Sequence, residues 1–163
     1  MRMAYSGDLA SGRTRGTDSS YSRLTTLEPT GGMTKSRPYR PRVMLVDDHP
    51  QVLRGLSRLL GPSCDIVAGV AGGEQAVETA ARLMPDVLIV DLTMADMDGL
   101  EVCRRVKQSA PETDVILVTA FDDKQVAVAA FEAGASEFLA KHDAAAALES
   151  VILRLVEKKR SGP

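Results

Sequence analysis

Val43-Met44-Leu45-Val46-Asp47-Asp48-His49-Pro50 and Val87-Leu88-Ile89-Val90-Asp91 decide how this chain folds. Each is a short unbroken apolar run closed by acid. Such a run, with no polar alternation, reads as a strand buried on both faces, and strands of that kind occur in parallel sheets covered by helices on each side. In an open parallel sheet the ligand crevice lies beyond the carboxyl ends of the strands. Two strands therefore deliver Asp47, Asp48 and Asp91 to one crevice. Carboxylates packed this closely repel, so at neutral pH they need a cation. All-oxygen ligation points to Mg²⁺, or a similar hard ion such as Mn²⁺.

Working outward, the sequence from Val43 alternates strand and helix with short, punctuated loops. Pro50 suits the first turn of a helix carrying Val52, Leu53, Leu56, Leu59 and Leu60, which Gly61-Pro62 stops. Asp65 to Val70 reads as the second strand. Gly72-Gly73 leads into a second helix with Ala76, Val77, Ala80 and Leu83 on one face, ended by Pro85. The third strand is Asp86 to Val90, and Gly99 opens a helix bearing Leu100, Cys103 and Val106 that Pro111 closes, with Asp98 as its cap. Asp114 to Val118 is the fourth strand and Asp122 to Ala133 the fourth helix, with Gly134 in the position after its C-cap. Ser136 to Leu139 forms a short fifth strand. The last helix runs from about Ala144 to Val156 with Asp143 as N-cap, and Leu148, Val151, Ile152 and Leu155 make its apolar stripe. Five strands in strict alternation with five helices imply an α/β fold, a five-stranded doubly wound parallel sheet.

The chain has 163 residues, about the size of one domain. Residues 1–41 are rich in Gly, Ser, Thr and Arg and lack apolar periodicity, so they cannot bury enough surface to offset their conformational entropy and are expected to be disordered. The folded domain is expected over 42–158, followed by a short tail at 159–163. Charge divides unevenly: residues 1–42 hold eight Lys/Arg against three Asp/Glu, and residues 43–163 hold twelve against nineteen. The acidic folded part offers no broad footprint for nucleic acid. The arginines of the leading segment could meet something acidic, but a solvated leader, with Met33 as an internal start, is the simpler reading. Cys64 and Cys103 stand in apolar surroundings without metal-ligand spacing and read as buried free thiols. No stretch approaches the roughly 18–20 apolar residues of a membrane span, and the N-terminus has no signal-peptide core. A cytoplasmic protein is expected.

Two more residues end strands on the acidic side: Thr119 after Asp114-Val115-Ile116-Leu117-Val118, and Lys141 just past Phe138-Leu139. Three carboxylates, a hydroxyl and an ammonium suit phosphorylation of a carboxylate. One aspartate attacks phosphorus, the other two hold a cation, and lysine and threonine each take a phosphoryl oxygen. Val46-Asp47-Asp48-His49-Pro50, Val90-Asp91-Leu92-Thr93-Met94 through Met97-Asp98-Gly99, Val118-Thr119-Ala120 and Leu139-Ala140-Lys141 together resemble the motif set of bacterial response-regulator receiver domains, over about Arg42 to Val156. The Asp-Asp-His-Pro start and Lys141-His142 look most like the NarL/FixJ-type subfamily.

That resemblance implies a flavodoxin-like (βα)5 fold with strand order 2-1-3-4-5. It makes Asp91 the phosphoacceptor, with Mg²⁺ or Mn²⁺ held by Asp47, Asp48, Asp91 and the backbone carbonyl of Thr93. Thr119, Ala120 and Lys141 would bind the phosphoryl group, and Phe138 would be the aromatic whose rotamer reports activation. A histidine kinase or phosphotransfer protein would donate the group. The face made by the fourth helix, fifth strand and fifth helix would dock a downstream protein or a second copy, in a ligand-biased population shift. Ala95 and His142 stand where many relatives carry proline, and the first of these should loosen its loop. On this reading the chain is a signalling switch and not a metabolic enzyme, acting alone by docking or phosphorelay. The alternatives are a receiver fragment of a DNA-binding transcriptional regulator and a pseudo-receiver that binds without phosphorylation. A haloacid-dehalogenase-type phosphohydrolase fits poorly, because Thr93 stands where that family needs a second aspartate. His49 is expected to act in the entry loop or as a cap, and His142 to lie on the surface.

Overall fold

The computed structural model describes residues 39–121 and 123–162. Five parallel strands, β1 (Arg42–Val46), β2 (Asp65–Val70), β3 (Val87–Asp91), β4 (Asp114–Thr119) and β5 (Glu137–Ala140), stand in the order β2-β1-β3-β4-β5. Between them run α1 (Pro50–Leu60), α2 (Gly73–Leu83), α3 (Gly99–Ser109), α4 (Lys124–Glu132) and finally α5 (Lys141–Arg160). The alternation expected from the sequence is the alternation found.

The period-two geometry of a strand explains why unbroken apolar runs were needed. Met44, Val46, Leu88, Val90, Val115 and Leu117 enter one core layer with Ala76, Ala80, Val102 and Val106 of α2 and α3. Their neighbours Val43, Leu45, Val87, Ile89, Ile116 and Val118 enter the other, with Leu60 of α1 and Leu148 and Ile152 of α5. Every residue of β3 is buried. The β1–β3 and β3–β4 ladders keep constant register, while β1–β2 slips by one between Val43 and Met44. Val46 is thus held level with Val90, which sets the next residues, Asp47 and Asp91, side by side.

Several element ends differ from expectation. α5 begins at Lys141, directly from β5, so Asp143 lies in its first turn and Ala140 is the N-cap. An acid there still complements the helix dipole without capping. α4 begins at Lys124, where the Asp123 side chain accepts a hydrogen bond from the Gln125 amide at 2.8 Å. Gly134 has φ +97°, the left-handed turn expected after that helix. The disorder expected for residues 1–41 falls outside the described residues as far as 38. Residues 39–41 are attached to the domain: the Tyr39 hydroxyl donates to Asp86 Oδ2 at 2.6 Å, and Arg40 donates to the carbonyls of Gly61 and Cys64. The Arg160 guanidinium stacks 4.2 Å over the Tyr39 ring, so α5 continues past the boundary expected at residue 158.

Candidate functional site

The site is assembled where β1 and β3 end. Asp47 follows β1 and is buried. Its Oδ1 accepts from the His49 amide at 2.9 Å and its Oδ2 lies 3.2 Å from Lys141 Nζ. Asp91, the last residue of β3, is buried too, and the same Lys141 Nζ is 3.2 Å from its Oδ2. Lys141 reaches both because it is the first residue of α5, immediately after the edge strand β5. Asp48 is partly exposed, and its Oδ2 accepts from the Ala95 amide at 3.2 Å. Ligand atoms of Asp47, Asp48, His49 and Asp91 all lie within 4.8 Å of one another.

The electrostatics follow from that geometry. Burial pushes the Asp91 carboxyl above the ordinary range. The hydrogen bond and charge of Lys141 and a bond from the Thr93 backbone act against it, while Asp47 adds repulsion. For Lys141 burial works against the ammonium, but the hydrogen bonds and charges of Asp91 and Asp47 more than offset it, and its pKa is raised. One ammonium therefore contacts two of the three clustered carboxylates, an acidic cluster able to hold a cation. Asp48 Oδ1 is a buried oxygen without a hydrogen-bond partner among the described residues. A carboxylate oxygen without a hydrogen bond, in a cluster of three carboxylates beside one imidazole, is what a hard divalent ion would satisfy.

Thr119 ends β4 and is fully buried, and its Oγ1 accepts from the Phe121 amide at 3.1 Å. In the β3–β4 register Asp91 pairs with Val118, which puts Thr119 one residue further towards the same sheet end. Ala120 follows it and is exposed. Phe138 sits on β5 opposite Leu117 and packs, half-buried, against the core layer beneath α2 and α3. Asp98 caps α3, accepting from the Glu101 amide at 2.8 Å. His142 is on the surface beside Asp143. Both cysteines are buried and free, and burial pushes the Cys103 thiol up to about 11, away from thiolate chemistry. Among the described residues no helix is long and apolar enough to cross a membrane.

His49 takes the helix-entry place expected of it, but the direction of its ring was not foreseen. It occupies the N-cap of α1 but its side chain makes no cap hydrogen bond. Its ring turns back, with Nδ1 3.0 Å from Asp47 Oδ1 and 2.8 Å from Asp48 Oδ1. Pro50 supplied the signal, since a residue before proline is held extended, and His49 has φ −102° and ψ 107°. Gly99 also proves structural: a Cβ there would lie 2.5 Å from the Asp91 carbonyl oxygen. Asp96 is a further contributor, accepting from the Gly73 amide at 2.8 Å to close the loop against α2.

Residues 43–153 match the response regulator receiver domain. The transcriptional regulatory protein LiaR of Bacillus subtilis is 34% identical over 113 residues, 68% of this chain and 54% of LiaR. The response regulator protein VraR of Staphylococcus aureus is 35% identical over 102 residues, 61% of this chain and 49% of VraR. The chain thus spans about half the length of these curated relatives. Among solved structures, the signal receiver domain of NarL from Mycobacterium tuberculosis superposes with a TM-score of 0.69 at 30% identity, covering 74% of this chain and 98% of that domain. With a doubly wound sheet ordered 2-1-3-4-5 and an acidic cluster at its carboxyl end, the chain belongs to the response regulator receiver domain family of two-component systems.

Proposed function

We propose that this domain is switched by phosphorylation of Asp91. The observation that carries the reading is Lys141 Nζ at 3.2 Å from both Asp47 Oδ2 and Asp91 Oδ2, a fixed positive charge beside a buried carboxylate. The Asp91 carboxylate attacks the phosphorus of a phosphohistidine, the P–N bond breaks, and the histidine ring leaves and takes up a proton. Lys141 and the Thr119 hydroxyl each take an oxygen of the transferred group, and the Ala120 amide is a further donor. Asp47, Asp48, a carboxylate oxygen of Asp91 and the Thr93 carbonyl would hold Mg²⁺ or Mn²⁺. A bound divalent ion supplies charge neutralisation for the phosphoryl oxygens. Drawing Lys141 and Thr119 towards the new group gives Phe138, on the strand that pairs with β4 and leads into Lys141, a reason to change its packing.

The donor in this reading is a histidine kinase or a phosphotransfer protein, and the setting is the cytoplasm. The output is docking of α4, β5 and α5 on a protein partner or a second copy. Val128 and Phe131 on α4 support this, being exposed apolar side chains one turn apart. The name of LiaR, a transcriptional regulatory protein, and the greater length of both LiaR and VraR favour a second reading of the output, that this receiver governs a DNA-binding module. The test is labelling by acetyl phosphate, followed by intact mass. One phosphoryl group is expected in the presence of Mg²⁺, none after chelation, none in Asp91→Asn, and a marked slowing in Lys141→Met. Labelling that survives Asp91→Asn would overturn the assignment. Size-exclusion chromatography of the labelled protein, alone and with Phe131→Ser, reads the docking face.

A further inference from the structure

We propose that Asp96 is a positioning residue for the cation site: by holding the Gly73 amide it ties the loop that carries the Thr93 carbonyl to the first turn of α2. The proposal rests on the reading of Asp47, Asp48, Asp91 and the Thr93 carbonyl as that site. The loop, residues 92–98, joins β3 to α3, and backbone hydrogen bonds fasten its two ends. The Leu92 amide donates to the Val118 carbonyl and the Gly99 amide to the Leu92 carbonyl, both at 2.8 Å. Two contacts hold the middle. The Ala95 amide donates to Asp48 Oδ2 at 3.2 Å, inside the acidic cluster itself. Asp96 Oδ2 accepts from the Gly73 amide at 2.8 Å, and the other end of that bond lies outside the site. The first contact depends on a carboxylate that a bound ion would draw to itself, so the second is the fastening that stays when the site is filled.

Asp96 is well matched to that amide. Gly72, the N-cap of α2, has no side chain to serve the first amides of the helix, and Asp96 reaches one of them from another loop. A carboxylate at this end also complements the helix dipole. The loop is pressed on the same turn: a Cβ at Gly73 would lie 2.6 Å from Met97 Cβ and 3.0 Å from Val102 Cγ2. A backbone carbonyl has no rotamer of its own, so the loop alone decides where the Thr93 oxygen stands. Ala95 leaves the loop without the fixed φ that a proline would give, and Asp96, close behind Thr93 in the chain, supplies a restraint instead. Mg²⁺ demands near-ideal octahedral geometry, so a carbonyl that wanders is felt in affinity.

The experiment measures Mg²⁺ affinity by calorimetry and ion-free Tm by circular dichroism. It uses the whole chain as wild type, Asp96→Ala, Asp96→Asn and the double variant Gly72→Ser/Asp96→Ala. Loss of an outer-shell partner of a metal ligand costs on the order of 10–100-fold in affinity, so Asp96→Ala should weaken Mg²⁺ by about tenfold or more. Asparagine keeps an oxygen for the Gly73 amide and should stay within about threefold of wild type. The serine separates positioning from helix capping. Gly72 is extended, at φ −129° and ψ 146°, as an N-cap is, and the atom nearest a Cβ there is Asp96 Oδ2, which alanine removes. The double variant should therefore regain Tm and keep the weak Mg²⁺ binding; Gly72→Asn replaces the serine if Tm stays low. Affinity regained together with Tm, asparagine as weak as alanine, or Mg²⁺ bound by Asp96→Ala as tightly as by wild type would each overturn the proposal and leave the carboxylate site standing. No Mg²⁺ binding by wild type would remove the site and the proposal together.

Discussion

The same substitution at two glycines is expected to act with opposite sign. Gly99 opens α3, and a Cβ there would meet the Asp91 carbonyl oxygen at 2.5 Å, Leu92 Cα at 2.8 Å and Leu117 Cδ2 at 2.9 Å. The first two are backbone atoms and cannot rotate away. The segment is also tied, since the Gly99 amide donates to the Leu92 carbonyl at 2.8 Å. Forcing a methyl into a packed interior costs about 1–3 kcal/mol, and alanine's better helix propensity returns at most about 1 kcal/mol. Gly99→Ala should therefore lose roughly 2 kcal/mol, which for a domain of this size lowers Tm by roughly 8 °C. Gly55 lies in the exposed middle of α1, and nothing lies within 4 Å of its would-be Cβ. Gly55→Ala should gain about 0.5–1 kcal/mol, or roughly 2–4 °C. Thermal unfolding by circular dichroism, with a urea titration beside it, reads both. The atom that Gly99→Ala displaces belongs to Asp91, so the rise in Tm on adding a divalent cation should also shrink in that variant. A Gly99→Ala protein as stable as wild type, with its full response to cation, would refute the argument that α3 is pressed onto the Asp91 backbone.

Three further outcomes follow from burial and charge. Asp91 takes up its proton at a higher pH folded than unfolded, so its contribution to stability falls as pH rises above the usual carboxylate range. In chelator, Asp91→Asn should be more stable than wild type at neutral pH, with the gap closing towards acid; a gap independent of pH would contradict this. The Tyr39 hydroxyl, partly desolvated and bonded to Asp86, is pushed up to about 12, so its contribution is complete below the ordinary tyrosine range and lost as pH rises through about 12. An ultraviolet titration should show a late tyrosine step that Tyr39→Phe removes. Leu88→Ala, at a fully buried position on β3, should cost about 2–5 kcal/mol by urea midpoint without changing m, and a loss below about 1 kcal/mol would mean that the layer under α2 and α3 repacks.

The fold was legible because both central strands are apolar without interruption. Val43–Val46 and Val87–Val90 admit only a sheet covered on both faces, and the prolines and glycines between them marked the crossovers. The aspartates at those strand ends could be named for the same reason, since the end of a parallel strand fixes which way the next residue faces the crevice. The start of α5 was less legible. Lys141 to Asp143 are polar and Ala144 opens the apolar stripe, so periodicity delayed the helix by three residues. The attachment of Tyr39 to Asp86 and Arg160 escaped notice because it joins residues far apart in sequence at a position with no local pattern. The His49 ring was hidden for a related reason: a lone histidine before Pro50 reads as a helix entry, and only the folded backbone shows its nitrogen turned onto Asp47 and Asp48.

The central claim is that Asp91, among three neighbouring aspartates, takes the phosphoryl group. Borohydride reduction of the acetyl-phosphate-treated protein converts an aspartyl phosphate to homoserine, which peptide mapping then locates. The account predicts homoserine at position 91 and nowhere else, dependent on Mg²⁺ and abolished by Asp91→Asn. Homoserine at 47 or 48, or none under conditions that label another receiver domain, would contradict it.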